Sequence, residues 1–170
     1  KEKYEKERLL YTSMTDELTR CGNRHAYETD IAKLDLQDAW AYLSMDVNGL
    51  KQVNDTRGHA AGDELICAAA ETMKHSFADI GRVYRIGGDE FVVIVTGELE
   101  ALDARLQDFD VDVAHWQGEL VDSMSIAWGY VLSTEHPWES VHEISKAADI
   151  RMYERKAYFY RESGVDRRKS

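Results

Sequence analysis

The sequence predicts an α/β sandwich in which helices pack on a mostly antiparallel central sheet. Two observations carry that prediction. Segments with helical periodicity are interleaved with short apolar runs, the mixed order expected of helices layered on a sheet. In addition, the stretch RIGGDEFVVIV (Arg85 to Val95) holds two strand-like runs separated only by Gly87, Gly88 and Asp89, which reads as a hairpin. A chain of 170 residues suits one domain with an ordinary core.

The elements follow in order. Lys1 to about Ser13 reads as a charged helix with Leu9, Leu10 and Tyr11 near its end. It is expected to be a linker that transmits a signal from an upstream domain. The chain opens KEKYEKERLL, with no initiator Met and no signal peptide, and so is expected to be a module of a longer protein. Asp16-Glu17-Leu18-Thr19 breaks the helical pattern, and Asn23-Arg24 opens a second helix to about Leu36. Ala39 to Val47 reads as a strand ending in an acid. Asn48 to Thr56 is a short helix closed by Gly58. His59 to Phe77 is a long helix with Leu65, Ile66, Ala69 and Met73 on one face. The strands Gly81–Ile86 and Glu90–Val95 form the hairpin. Glu98 to about Phe109 reads as helix and Val121 to Leu132 as strand. Trp138 to Tyr160 reads as a final helix with Pro137 at its start. The main domain is thus expected over residues 14–170.

Bulk properties exclude several functions. The formal net charge of −11 lacks the basic footprint of a nucleic-acid binder, but leaves room for a nucleotide held by a few cations and backbone N–H groups. No apolar run is long enough to span a bilayer, so a cytoplasmic location without direct membrane contact is expected. Cys21 and Cys67 fit no metal-ligand spacing and read as reduced thiols, Cys67 as a small buried residue. The six histidines form no H-x-x-x-H pair, so no zinc site is expected.

Acids at strand ends carry the chemistry. Asp46 ends one strand, while Asp89 and Glu90 sit in the turn beside another. If those strands are neighbours, three carboxylates converge at one sheet edge, where like charges repel unless a cation joins them. Oxygen ligands without nearby His or Cys point to Mg²⁺ or Mn²⁺. Gly87 and Gly88 are expected to supply positive φ and to let phosphate approach the backbone.

The stretch from Met45 to Leu65, MDVNGLKQVNDTRGHAAGDEL, precedes GGDEF, and Asp16-Glu17-Leu18-Thr19 and Asn23-Arg24 stand upstream. Together these motifs closely resemble the GGDEF family of diguanylate cyclases, over about residues 14 to 160. The resemblance implies a palm-like fold related to nucleotide cyclases and polymerases. It also implies condensation of two GTP molecules into cyclic di-GMP with release of two pyrophosphates. Each domain would hold one GTP, so catalysis would need a homodimer. By this resemblance Asp46, Asp89 and the backbone carbonyl of Val47 hold the metal. Asp89, with Glu90 beside it, assists deprotonation of the attacking 3′-hydroxyl. Asn54 and Asp63 read guanine. Lys51, Arg85 and Lys156 contact phosphate, as do the backbone N–H groups of Leu50 and Lys51 at a helix start. His59, Gly87 and Gly88 are placed with the substrate-binding residues, and Asp16 is expected to be a structural pin.

Residue chemistry supports the guanine assignment. An ionised Asp only accepts hydrogen bonds. Guanine offers N1–H and N2–H on one edge, whereas adenine offers an acceptor at N1, so Asp63 favours GTP over ATP; the resemblance further implies a GTP-only product, because relatives that make mixed cyclic AMP-GMP commonly lack Asp at this position. A catalytically silent module that binds GTP or simply dimerises is the alternative function. Some positions depart from the family pattern. Its product-inhibition motif R-x-x-D would place Arg at position 78 and Asp at 81, where Ala78 and Gly81 stand. Arg20-Cys21, Asn48 and Leu50 also differ, and Tyr160 or Arg161 stands where a second basic residue is usual.

Overall fold

The computed structural model describes residues 1–163. The elements are α1 (Glu2–Met14), α2 (Arg24–Ile31), β1 (Ala41–Val47), α3 (Leu50–Arg57), α4 (His59–Phe77), β2 (Gly81–Arg85), β3 (Glu90–Val95), α5 (Leu102–His115), β4 (Ile126–Leu132) and α6 (Val141–Ser163), with a short 3₁₀ turn at Leu99–Ala101 before α5. The end of the expected domain, residues 164–170, lies outside the described residues.

The four strands lie in the order β2-β3-β1-β4, and each neighbouring pair is antiparallel. β1 is an inner strand flanked by β3 and β4, and all seven of its residues are buried. Alternation along a strand sends successive side chains to opposite faces. Leu43, Met45 and Val47 join Phe91, Val93 and the apolar faces of α4 and α5 in one cluster. Tyr42, Val92, Ile94 and Val131 join Ile144 and Ala148 of α6 in the other. Phe77 of α4 and Phe109 of α5 meet with ring centroids 5.5 Å apart, an aromatic contact worth about 0.5–1.5 kcal/mol beyond its area.

α6 lies tightly against β4 because Gly129 has no Cβ. One added there would overlap the α6 backbone at Ala148 and Met152. That close approach fixes the height of α6 over the sheet, and with it the place of Lys156. By contrast, α1 buries no residue and leaves Tyr4, Leu9, Leu10 and Tyr11 exposed. It joins the domain at its end, where Asn23 donates to Met14 and Ser13 carbonyls at 3.0 and 2.9 Å.

Three expected boundaries shift for identifiable reasons. α2, capped by Asn23 accepting from Ala26 N at 2.9 Å, stops at Ile31 rather than Leu36. Beyond it, Trp40 Nε1 binds the Asp35 carbonyl at 2.9 Å, and that contact requires the chain to turn. β4 begins at Ile126, not Val121, because the Val121 amide is bonded to Glu64 at 3.0 Å. α6 begins at Val141, so Pro137 lies upstream of the helix. Ser140 caps α6 instead, accepting from Glu143 N at 3.1 Å. Cys67 is half-buried, its thiol 3.6 Å from the Leu18 carbonyl, whereas Cys21 is the buried thiol. No helix among the described residues is long and apolar enough to cross a membrane.

Candidate active site

Pairing of β1 with β3 places Asp46 opposite Glu90, and Val47 N donates to the Asp89 carbonyl at 2.9 Å. The end of β1 and the GGDEF turn are therefore one locus. Asp46 is only 6% exposed. Burial pushes its carboxyl up, the Lys156 ammonium pulls it back and neighbouring Asp89 raises it, leaving it at about 6. Its Oδ2 accepts from Lys156 Nζ at 2.5 Å. Its Oδ1 is buried and has no hydrogen-bond partner. A buried acceptor left unsatisfied costs about 1–3 kcal/mol, more if charged.

This orphaned oxygen, with a second carboxylate close enough to perturb it, fits a hard divalent cation. Asp46, Asp89 and the Val47 carbonyl are the residues that would hold it, and Mg²⁺ or Mn²⁺ suits such oxygens. The three acids lie at one end of the sheet as expected, but they do not all turn toward one point. Among the described residues, no three His, Cys, Asp or Glu side chains gather as a metal-binding group. Glu90 is exposed and folds back toward Gly87, its Oε2 3.5 Å from where a Cβ there would stand. Two carboxylates suffice for magnesium, which leaves its other positions to water and phosphate. The turn glycines also differ from expectation. Among the described residues, the glycines with left-handed φ are Gly49 and Gly58, not Gly87 or Gly88. What Gly88 offers is open space, since a Cβ there would meet nothing within 4 Å.

The expected base-reading pair comes together at the corner between α3 and α4. Gly49 precedes α3, and its φ of 77° lets the chain leave β1 and turn at once into the helix. Gly58 ends α3 and begins α4. A Cβ at Gly62 would overlap Asn54 Oδ1, so Asn54 lies directly against the α4 backbone beside Asp63. Asn54 is half-buried and Asp63 exposed, and a base could therefore reach both. Leu50 and Lys51 begin α3, where backbone N–H groups point outward, and the Lys51 side chain is exposed. His59, the first residue of α4, is also exposed.

Arg85 bonds within the protein. Its Nε and Nη2 donate to the Gly88 carbonyl at 3.2 and 2.9 Å, and its Nη1 stands 3.3 Å from Asp16 Oδ2. Asp16 also accepts from Thr19 N at 3.0 Å and Thr19 Oγ1 at 2.7 Å. Asp16 is thus the pin of its loop, and Arg85 links that pin to the GGDEF turn.

Other contributors escaped the sequence reading. Ser44 Oγ donates to Asp149 Oδ1 at 2.5 Å, tying α6 to the same face of β1 that carries Asp46. A signal existed: Ser44 and Asp46 share a strand face, and Asp149 and Lys156 lie seven residues apart on one helix. Asn48, just past Val47, binds Ser125 through its backbone N and its Nδ2, both at 2.9 Å.

The Diguanylate cyclase, GGDEF domain family model matches residues 13–159. The chain belongs to the GGDEF family. Among curated relatives it is 34% identical over 150 residues to the probable diguanylate cyclase DgcI of Escherichia coli K12, covering 87% of this chain and 32% of that protein. It is 32% identical over 158 residues to the diguanylate cyclase DgcN of the same organism, covering 87% and 38%. The chain therefore spans about a third of the length of these GGDEF relatives. The solved coiled coil and GGDEF domain of DgcB from Caulobacter crescentus, in complex with c-di-GMP, superposes with a TM-score of 0.79 at 23% identity, covering 91% of this chain and 86% of that one. This likeness shows that the sheet and helices described above are those of a GGDEF domain.

Proposed function

We propose that this GGDEF domain is a diguanylate cyclase that condenses two GTP molecules into cyclic di-GMP across a homodimer, with Mg²⁺ or Mn²⁺. The observation that carries this reading is the buried Asp46 carboxylate, satisfied by Lys156 on one oxygen and open on the other, beside Asp89.

The chain's own groups divide the work. Asp63 accepts from the guanine N1–H and N2–H edge, and Asn54 orients the base from the facing helix. Lys51, the N–H groups at the start of α3 and Lys156 receive the triphosphate. Gly88 leaves space for phosphate beside the turn. When bound, the cation offsets phosphate charge and eases departure of pyrophosphate. Asp89, with Glu90 beside it, takes the proton from the 3′-hydroxyl as that oxygen bonds to the α-phosphorus of the other GTP. The bond from that phosphorus to the β-bridging oxygen breaks, and pyrophosphate leaves. The same step in the opposite sense closes the ring. One domain holds only one substrate, so dimerisation supplies the orientation, an effect worth roughly 7–11 kcal/mol of barrier. α1, exposed along its length, is placed to pass a signal from an upstream sensory domain.

The test is incubation with GTP and Mg²⁺, followed by chromatography for cyclic di-GMP and pyrophosphate. If the domain alone is inactive, a dimerising coiled coil is fused before Lys1. Formation of both products supports the proposal. GTP binding without products in the fused dimer assigns the chain to silent regulatory modules instead.

A further inference from the structure

Residues 116–125 form neither helix nor strand; Val121 and Met124 are buried in the core, and polar bonds hold the loop at three places. Glu64 of α4 accepts the backbone N–H groups of Glu119 at 3.2 Å, Leu120 at 3.0 Å and Val121 at 3.0 Å. Arg57, the last residue of α3, donates to the Leu120 carbonyl at 3.0 Å and stands 3.8 Å from Asp122. At the far end, Ser125 receives both bonds from Asn48. The loop thus grips the chain just past β1, at the end of α3 and within α4. Between those grips lie Asn54 and Asp63.

We infer that Glu64 is a positioning residue for base recognition, its carboxylate holding loop 116–125 as a brace that sets the spacing of Asn54 and Asp63. The inference rests on the reading of Asn54 and Asp63 as the guanine pair. α3 needs such a brace. It has eight residues, none fully buried, and only Leu50 and Val53 pack against the core. A helix that short has little stability of its own. Its contact with α4 runs through Asn54 itself, whose side chain occupies the space beside Gly62, so any shift of α3 on α4 moves that residue. The brace closes the corner from outside. Arg57 is three residues from Asn54 on α3, and Glu64 follows Asp63 on α4, so displacement of the loop moves both readers. A carboxylate accepting several N–H groups is a strong, charge-assisted anchor. Glu64 does not itself face the base, because consecutive helical residues point about 100° apart.

The experiment measures equilibrium binding of GTP and ATP analogues with non-cleavable α–β bridges to the whole chain, in wild type, Glu64→Gln and Arg57→Ala, with thermal midpoints alongside. Glu64→Gln keeps the side-chain volume but turns an NH₂ toward backbone donors. The expected result is a GTP-over-ATP preference reduced roughly tenfold in both variants through weaker GTP binding, as small misplacements of a recognition group produce. A merely structural Glu64 would lower the midpoint and leave the preference intact, and that result overturns the inference. Should Glu64→Gln fail to fold, Arg57→Ala decides by the same criterion. A wild type that binds both analogues equally defeats the guanine assignment itself, and the inference falls with it. Wild-type preference retained in both variants defeats the brace alone.

Discussion

Lys156 Nζ stands 2.5 Å from Asp46 Oδ2, and it reaches that point from a helix whose Asp149 is bonded to Ser44, two residues before Asp46 on β1. Two cross-links, one of charge and one of hydroxyl to carboxylate, therefore set the register of α6 on β1. Lys156 offsets a buried anion, and in the proposed function it also receives the triphosphate. Lys156→Ala is expected to lower kcat/KM for GTP by about 10²-fold or more, since removing one partner of a buried pair leaves the other uncompensated. Steady-state pyrophosphate release checks it. A fall confined to thermal stability would assign Lys156 a structural role only.

Asp46→Asn separates function from stability. The substitution keeps the side-chain volume but leaves Lys156 without its anion, so the thermal midpoint without metal is expected to fall modestly with the fold retained. Turnover should vanish. The wild type should gain stability on Mg²⁺ or Mn²⁺ addition, by about 2.7 kcal/mol at a concentration one hundred times Kd, and the variant should not. Thermal melts with and without the ion decide the matter, and an equal gain in both proteins would place the ion elsewhere.

Asp16 sets an acid limit on stability. Its burial works to raise the carboxyl, but the Thr19 hydroxyl and amide and the Arg85 guanidinium outweigh it and hold the group below its ordinary value. A depressed carboxylate contributes stability above its unfolded pKa and loses it as pH falls through the folded value. Urea midpoints from pH 7 downward should therefore fall as Asp16 protonates. Asp16→Asn should be less stable at pH 7, by about 1–3 kcal/mol, with a shallower acid decline. A variant with the same slope as wild type would remove Asp16 from the account.

How far the chain could be read in advance depended on the range of the interactions. α4 and β3 were legible to the residue because local chemistry punctuates them, Gly58 before α4 and Gly87-Gly88-Asp89 before β3. The ends of α2 and β4 were not, because a distant contact decides each: Trp40 folding back on Asp35, and Glu64 claiming the amides of residues 119–121. The same division holds at the site. Asp46, Asn54 and Asp63 stand in one stretch between Met45 and Leu65, and Asp89 stands in the GGDEF motif. The Ser44–Asp149 bond joins residues 105 positions apart, and neither residue type is distinctive alone. Arg85 was readable as a cation near the turn, but its bonds to Gly88 and Asp16 appear only once the loop at Asp16 is folded against β2.

Asp63→Ser should relax the choice of base. A carboxylate opposite N1 repels adenine and pairs with guanine, whereas a serine hydroxyl can donate to one and accept from the other. The ratio of kcat/KM for GTP over ATP is expected to fall by about 10²-fold or more, because polar mismatches in a recognition site discriminate by orders of magnitude. Competition of the two nucleotides in one assay, with products resolved by mass, measures it. An unchanged ratio would show that another group reads the base.

Product inhibition through the family's R-x-x-D site is expected to be absent, for a reason built into β2. Ala78 and Gly81 occupy the two positions, and they line a cavity of about 550 Å³ beside the edge strand. Asp30, Asp79 and Arg82, which line that cavity, are engaged within the protein: Arg82 with Asp30 at 2.7 Å, and Asp79 with Arg105 at 2.7 Å. Adding both missing side chains should not restore the site cleanly, because a Cβ at Gly81 would overlap the Ile94 carbonyl of β3. Titrating cyclic di-GMP into the GTP reaction should therefore show only competition at the substrate site, with KM rising and kcat unchanged. Gly81→Asp should cost stability, by an amount typical of overpacking at about 1–3 kcal/mol, without creating inhibition. Strong non-competitive inhibition of the wild type would show that other residues around this cavity do the work of the missing pair.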